Sequence, residues 1–127
     1  KDSYQKIILV NSNIAAKHMT IGRFYQKEEK YTAALNRYRL VIENFSETKF
    51  TPEAVYRMSE IYYSIGMIEE STKMARILAY NYPDSEWYKF SYNNLTKDNK
   101  KSIFSRSISK FFIKWQKKLI SRLKKDY

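Results

Sequence analysis

Cysteine is absent from these 127 residues, histidine occurs once, and glycine and proline occur twice each. Each scarcity closes off a class of protein. Without cysteine there is no disulfide, no thiolate zinc site and no thiol nucleophile, although a reducing and an oxidising compartment are both compatible with that composition. With His18 as the sole histidine and no glycine-rich loop, neither a metal cage nor a phosphate cradle can be assembled, and no cofactor is implied. So few turn formers argue against a sheet-rich fold and for long helices joined by short turns. Long apolar runs are missing too: Ile7-Ile8-Leu9-Val10 falls far short of the roughly 18 residues that a membrane span needs. The chain opens at Lys1, with neither an initiator methionine nor a signal peptide, and reads as a fragment or processed form whose targeting is not recorded here. The carboxylate pairs Glu28-Glu29 and Glu69-Glu70 fall in expected helix-helix turns, where they are solvated. Nothing supports catalysis, so a non-enzymatic role is expected.

What is present is aromatic and basic. Twelve tyrosines, seven phenylalanines and two tryptophans supply material for helix packing. The formal charge of +11 is unevenly placed. Residues 1–96 hold 13 basic and 11 acidic side chains, whereas residues 97–127 hold 11 and 2. A nearly neutral body therefore carries a basic tail.

The body contains a helix-turn-helix pattern twice. Units of this tetratricopeptide type are about 34 residues long, and each covers its apolar face only by stacking on its neighbours. In the first repeat His18, Ile21, Gly22 and Tyr25 occupy the i, i+3, i+4, i+7 face of one helix, and Ala34, Tyr38 and Val41 continue that stripe on the next. Gly22 and Ala34 are small and let the two helices approach closely, with Lys27 to Lys30 as the turn. The second repeat opens at Thr51-Pro52-Glu53, where Thr51 is expected to cap backbone donors and Pro52 suits the first turn. Val55, Met58 and Tyr62 form its stripe, Gly66 closes the helix in a left-handed conformation, and Ser71, Ala75 and Leu78 face back from the partner helix. Gly22 and its counterpart Ser59 are 37 positions apart, so the loop from Phe45 to Phe50 absorbs an excess over the usual period. A further helix follows Asp84 or Ser85 as its cap and is expected to bury Trp87, Phe90 and Leu95. Tyr4 to Val10 is either the end of an earlier repeat or the start of one long helix. The repeats are placed at about 14–47 and 51–85 within residues 1–96.

In such a solenoid the first helix of each hairpin lines the concave side. Ala16, Met19, Arg23, Gln26 and Lys27 are expected there from the first repeat, and Glu53, Tyr56, Glu60, Tyr63 and Ser64 from the second. Arg23, Lys27, Tyr56, Glu60 and Tyr63 are the candidate partner contacts, against the plainer reading that they are solvated surface. Mixed charge there suits a peptide or a folded protein better than a polyanion.

Residues 97–127 form a separate module. Phe104, Ile108, Phe111, Phe112, Trp115, Leu119 and Leu123 recur at helical spacing among lysines and arginines, which predicts an amphipathic basic helix. Three readings stand. The helix caps the end of the solenoid; or Phe111 and Trp115 enter a membrane boundary while Lys114, Lys117 and Lys118 meet anionic headgroups; or, least favoured, it neutralises nucleic-acid phosphates.

Three segments together resemble a known family. Ile21-Gly22-Arg23-Phe24-Tyr25, Tyr31-Thr32-Ala33-Ala34-Leu35-Asn36-Arg37-Tyr38 and Asn81-Tyr82-Pro83-Asp84-Ser85-Glu86-Trp87-Tyr88 resemble the outer-membrane assembly lipoprotein family BamD, also called ComL, over about residues 5–95 in that family's C-terminal half. The resemblance implies a scaffold at the periplasmic face of the outer membrane that holds BamA through its POTRA domains, with other assembly lipoproteins as further partners. It also implies that Arg37, the arginine of the Asn-Arg pair, contacts the membrane-proximal POTRA domain, with Asn36 and Arg39 beside it. Arginine suits that task because its planar fork binds carboxylates bidentately. The competing reading of Arg37 is a surface pair with a glutamate of its own chain. The family's lipid-bearing cysteine and first repeats have no counterpart here, and the tail is longer and more basic than the family's ending. The expectation is thus an all-α tetratricopeptide-type solenoid acting as an assembly scaffold. The alternative is an unrelated repeat adaptor docked by its basic tail on an anionic membrane or nucleic acid.

Overall fold

The computed structural model describes residues 2–97, the side chains of 93–97 aside. Five helices follow one another: α1 (Asp2–Lys27), α2 (Tyr31–Asn44), α3 (Thr51–Ser64), α4 (Ile68–Asn81) and α5 (Glu86–Lys97). No strand occurs among the described residues. α1 packs on α2 and α3 on α4 as two helical hairpins, α2 joins them through α3, and α5 lies against α3 and α4. This is the all-helical, tetratricopeptide-like arrangement that the sequence pattern predicts.

Both hairpin turns close in the same way. The Lys30 N–H reaches the Tyr25 carbonyl at 2.8 Å and the Met67 N–H reaches that of Tyr62 at 2.8 Å, six-residue closures of the Schellman kind. Each needs a left-handed residue, supplied by Gly66 at φ 83° and by Glu29 at φ 59°. Glycine adopts that conformation without steric cost; glutamate does so at a cost of about 1–2 kcal/mol, which the surrounding turn must offset.

Tyr4 to Val10 belongs to the single helix α1, which runs 26 residues where α2 has 14. Its first half therefore projects past α2, and Tyr4, Ile7, Leu9 and Val10 are exposed there. The covered half supplies Ala15, Met19 and Gly22 to the interior. They meet Ala34, Tyr38 and Val41 of α2 and Ala54, Met58, Ile61 and Tyr62 of α3 in one core. Full burial of a side chain such as Met19 or Ile61 stabilises by about 1.5–3 kcal/mol. A second cluster of Val55, Tyr56 and Leu78 extends the core toward Trp87 and Tyr88.

The close approach within each hairpin is carried by small residues twelve positions apart. In the first, a Cβ placed on Gly22 would meet the Tyr38 ring at 2.6 Å. In the second, the Ser71 hydroxyl donates to the Ser59 carbonyl at 2.8 Å.

Several local expectations need correction. Thr51 does not cap backbone donors: it is the first residue of α3, and its hydroxyl donates to the Phe45 and Ser46 carbonyls at 3.1 Å each, tying the loop down. At α5 the choice resolves to Ser85, whose hydroxyl accepts from the Trp87 N–H at 3.2 Å. Phe90 is half exposed rather than buried. Met19, Glu53 and Tyr56, expected on the concave surface, are interior. The reason is common to the last three. A first helix in a stacked hairpin touches both its own partner and the neighbouring hairpin, so its buried arc is wider than one stripe.

Because Tyr38 is fully buried, its ring cannot move aside for a methyl group. Gly22→Ala should lower stability by about 1–3 kcal/mol despite alanine's better helix propensity, measured by urea unfolding followed by circular dichroism.

Candidate partner-binding surfaces

The candidate residues divide between two surfaces. The first helices α1 and α3 present Arg23, Lys27, Glu60 and Tyr63, whereas α2 presents Asn36, Arg37 and Arg39.

On the first surface most of the charge is already engaged. The Arg23 guanidinium binds Glu53 bidentately, Nε to Oε2 at 2.7 Å and Nη2 to Oε1 at 2.6 Å. Glu53 is 5% exposed, and Arg57 reaches it from one turn further along α3 at 3.4 Å. Arg57 also contacts Glu60 at 3.3 Å and lies over the Trp87 ring, 5.2 Å from its centroid. Tyr38 donates to Gln26 at 2.8 Å. This chain of contacts fastens α1 to α3, two helices that are not among the closely packed pairs, and reaches α5 through Trp87. Hydrogen bonding and burial shift the pKa values of its members. The hydrogen bond to Glu53 raises the Arg23 pKa, desolvation raises that of Glu60, and desolvation pushes the Tyr38 phenol up to about 12. Tyr56, proposed as a contact, is 9% exposed with its ring 5.4 Å from that of Trp87, so it serves the core. Lys27 and Tyr63 are exposed.

The second surface is different. Asn36 and Arg39 are exposed and share a long contact of 3.4 Å. Arg37 leaves the opposite flank of α2 from Leu35 and Ile42, which face the core, and turns toward α1. There its Nη1 lies 3.2 Å from Nδ1 of His18, whose ring stacks on Phe45 with centroids 6.0 Å apart. Among the described residues no carboxylate forms an ion pair with Arg37, so the expected alternative of an in-chain glutamate partner is not realised. His18, read from sequence as a packed core residue, is only partly buried. Desolvation, then the Arg37 and Lys17 cations, hold its pKa below the ordinary imidazole value.

Three residues of these surfaces escaped the sequence reading in part. Arg57 stands four after Glu53 and three before Glu60, a spacing that does signal helical ion pairs. The burial of Glu53 and the pairing of His18 with Arg37, nineteen positions away, carry no local signal. Phe111, Lys114, Trp115, Lys117 and Lys118 lie outside the described residues. Among the described residues no cluster of three or more His, Asp or Glu side chains could hold a metal ion.

The outer-membrane lipoprotein family YfiO matches residues 1–78. The chain belongs to this family, the family of BamD. It is similar to the outer membrane protein assembly factor BamD of Rickettsia prowazekii (strain Madrid E), 46% identical over 91 residues, which make up 72% of this chain and 36% of that protein. Similarity to BamD of Caulobacter vibrioides (strain ATCC 19089 / CIP 103742 / CB 15) is 42% over 98 residues, 77% of this chain and 32% of that protein. BamD of Neisseria meningitidis serogroup A is more distant, 24% identical over 84 residues, 66% of this chain and 32% of that protein. The chain spans about a third of the length of these curated relatives. No solved structure matches it. Membership in a BamD family of outer-membrane lipoproteins places the chain at the periplasmic face of the outer membrane. No helix among the described residues is long and apolar enough to cross a membrane.

In this BamD-family chain the Arg23–Glu53 bridge should behave as a structural clamp. Arg23→Ala leaves the buried Glu53 carboxylate with only its longer contact to Arg57, and should cost about 1–3 kcal/mol in urea unfolding. Lys27→Ala, one turn away and exposed, should change stability by less than about 0.5 kcal/mol.

Proposed function

We propose that the chain acts as a non-enzymatic scaffold in outer-membrane β-barrel assembly and binds the membrane-proximal POTRA domain of BamA, with Arg37 as the central contact. The supporting observation is the state of that guanidinium. Arg23 and Arg57 spend their charge on Glu53 and Glu60, whereas Arg37 is oriented by a neutral acceptor and keeps its positive charge for a carboxylate from outside. An arginine held by an uncharged ring loses little rotamer freedom when a partner arrives, and the fork can then bind bidentately. Asn36 and Arg39 flank the contact as exposed polar groups, and other assembly lipoproteins are the further partners of the scaffold. The relatives from Rickettsia prowazekii and Caulobacter vibrioides are named assembly factors, which agrees with a binding role.

Residues 1–96 form the binding unit in this reading, and residues 97–127 a basic extension that caps the repeats or meets an anionic membrane surface. Family membership sets aside an unrelated repeat adaptor.

Calorimetric titration of the 127-residue chain against the soluble POTRA array of its own organism's BamA tests the assignment. Arg37→Glu should weaken binding by about 30-fold or more with helicity unchanged, since removing one side of an interfacial charge pair costs about 2 kcal/mol or more. Equal affinity for both proteins would remove Arg37 from the interface.

A further inference from the structure

Arginine has donors and no acceptor, so the 3.2 Å contact from Nη1 of Arg37 requires the Nδ1 lone pair of His18. A hydrogen bond there calls for the neutral ring with its proton on Nε2, a tautomer assigned from the contact. Stacking on Phe45, with 29° between the planes, fixes the orientation in which Nδ1 meets the guanidinium. A second proton would turn Nδ1 into a donor and place an imidazolium against a guanidinium. The hydrogen bond would be lost and replaced by repulsion between like charges.

The charges that bear on the ring do nothing to relieve this. Arg37 acts from α2 and Lys17 from His18's own helix, both cations, while the third neighbour, Phe45 in the loop after α2, is uncharged. We propose that His18 is a positioning residue for Arg37 and makes the Arg37 contact proton-gated: the neutral ring presents the guanidinium to an acidic group on the partner, and the protonated ring releases it. The proposal rests on the reading of Arg37 as the partner contact and adds its regulation.

The direction with pH follows from the lowered pKa of His18 in the folded chain. The unfolded chain takes up a proton at about 6.5, before the folded one does. The contribution of the neutral pair to stability is therefore complete above that pH and is lost as pH falls toward the folded value. Affinity for an acidic partner should decline over the same acid range.

Because His18 is the sole histidine in the chain, its ring nitrogens give a single set of signals in long-range proton–nitrogen NMR. At about pH 7.5 they should show the Nε2–H tautomer alone, and Arg37→Ala should yield a tautomer mixture that protonates at higher pH. A mixture in the wild type, or no change with Arg37→Ala, would overturn the positioning role. Binding to the POTRA array is then measured at about pH 7.5 and about pH 5.5 for wild type and His18→Gln, whose amide oxygen accepts a hydrogen bond but does not titrate. Wild type should lose about tenfold more affinity on acidification than the variant, since titration of the partner cancels between them. Equal pH dependence would refute the gate. So would tighter wild-type binding in acid, which would mean that the imidazolium itself engages the partner. A folded wild type that fails to bind at about pH 7.5 would defeat the functional reading and the gated contact with it, and the NMR result would still decide the pair.

Discussion

The first hairpin and both candidate surfaces of α1 and α2 depend on how closely α1 approaches α2, a spacing that Gly22 against the Tyr38 ring permits. With no side chain at Gly22, the buried Tyr38 ring occupies the space a Cβ would need, and its hydroxyl donates to Gln26. A wider spacing would withdraw that hydroxyl and disturb the neighbouring polar groups. It would also separate His18 from Arg37, which join the same two helices one turn away. The second hairpin is joined by other chemistry, a buried serine hydroxyl donating to a carbonyl. Small side chains are the shared requirement, and the atoms that occupy the gap differ.

The arginines show how one residue type serves two purposes in one fold. Arg23 and Arg57 converge on a nearly buried carboxylate, where their charge offsets the desolvation of Glu53 and joins helices whose backbones stay apart. A buried carboxylate without such partners would be strongly destabilising. Arg37 has a neutral partner instead, so its net charge remains uncompensated within the described chain. A hydrogen bond to imidazole positions a guanidinium without neutralising it, and such a group is well suited to recognise an external acid. The same neutrality makes the arrangement sensitive to protons, because imidazole is the one common side chain that changes charge near physiological pH.

Helix existence, hairpin pairing and some helix ends were readable in the residues. Pro52 in the first turn of α3, Gly66 at its end and the small residues at Gly22 and Ala34 are local signals with local causes, and α1 to α4 follow them. The six-residue closure at Glu29 was not readable, because glutamate rarely adopts positive φ and does so here only within a turn that holds it there. The buried arc of each first helix was also misjudged. A periodic stripe describes one contact face, whereas Met19 and Tyr56 are covered by a neighbouring element that no periodicity within their own helix announces.

The candidate site divides along the same line. Sequence alone determined that the chain is helical, repeated and poor in the residues of catalysis, and that Arg37 lies beside Asn36 on the second helix of a repeat; these are properties of composition and of short-range spacing. Only the tertiary structure decided which arginines are neutralised. Ion pairing across 30 positions between Arg23 and Glu53, and hydrogen bonding across 19 between Arg37 and His18, depend on where packed helices bring their flanks together. Electrostatic partnership decays over a few ångströms, so it is settled by that packing and not by order along the chain.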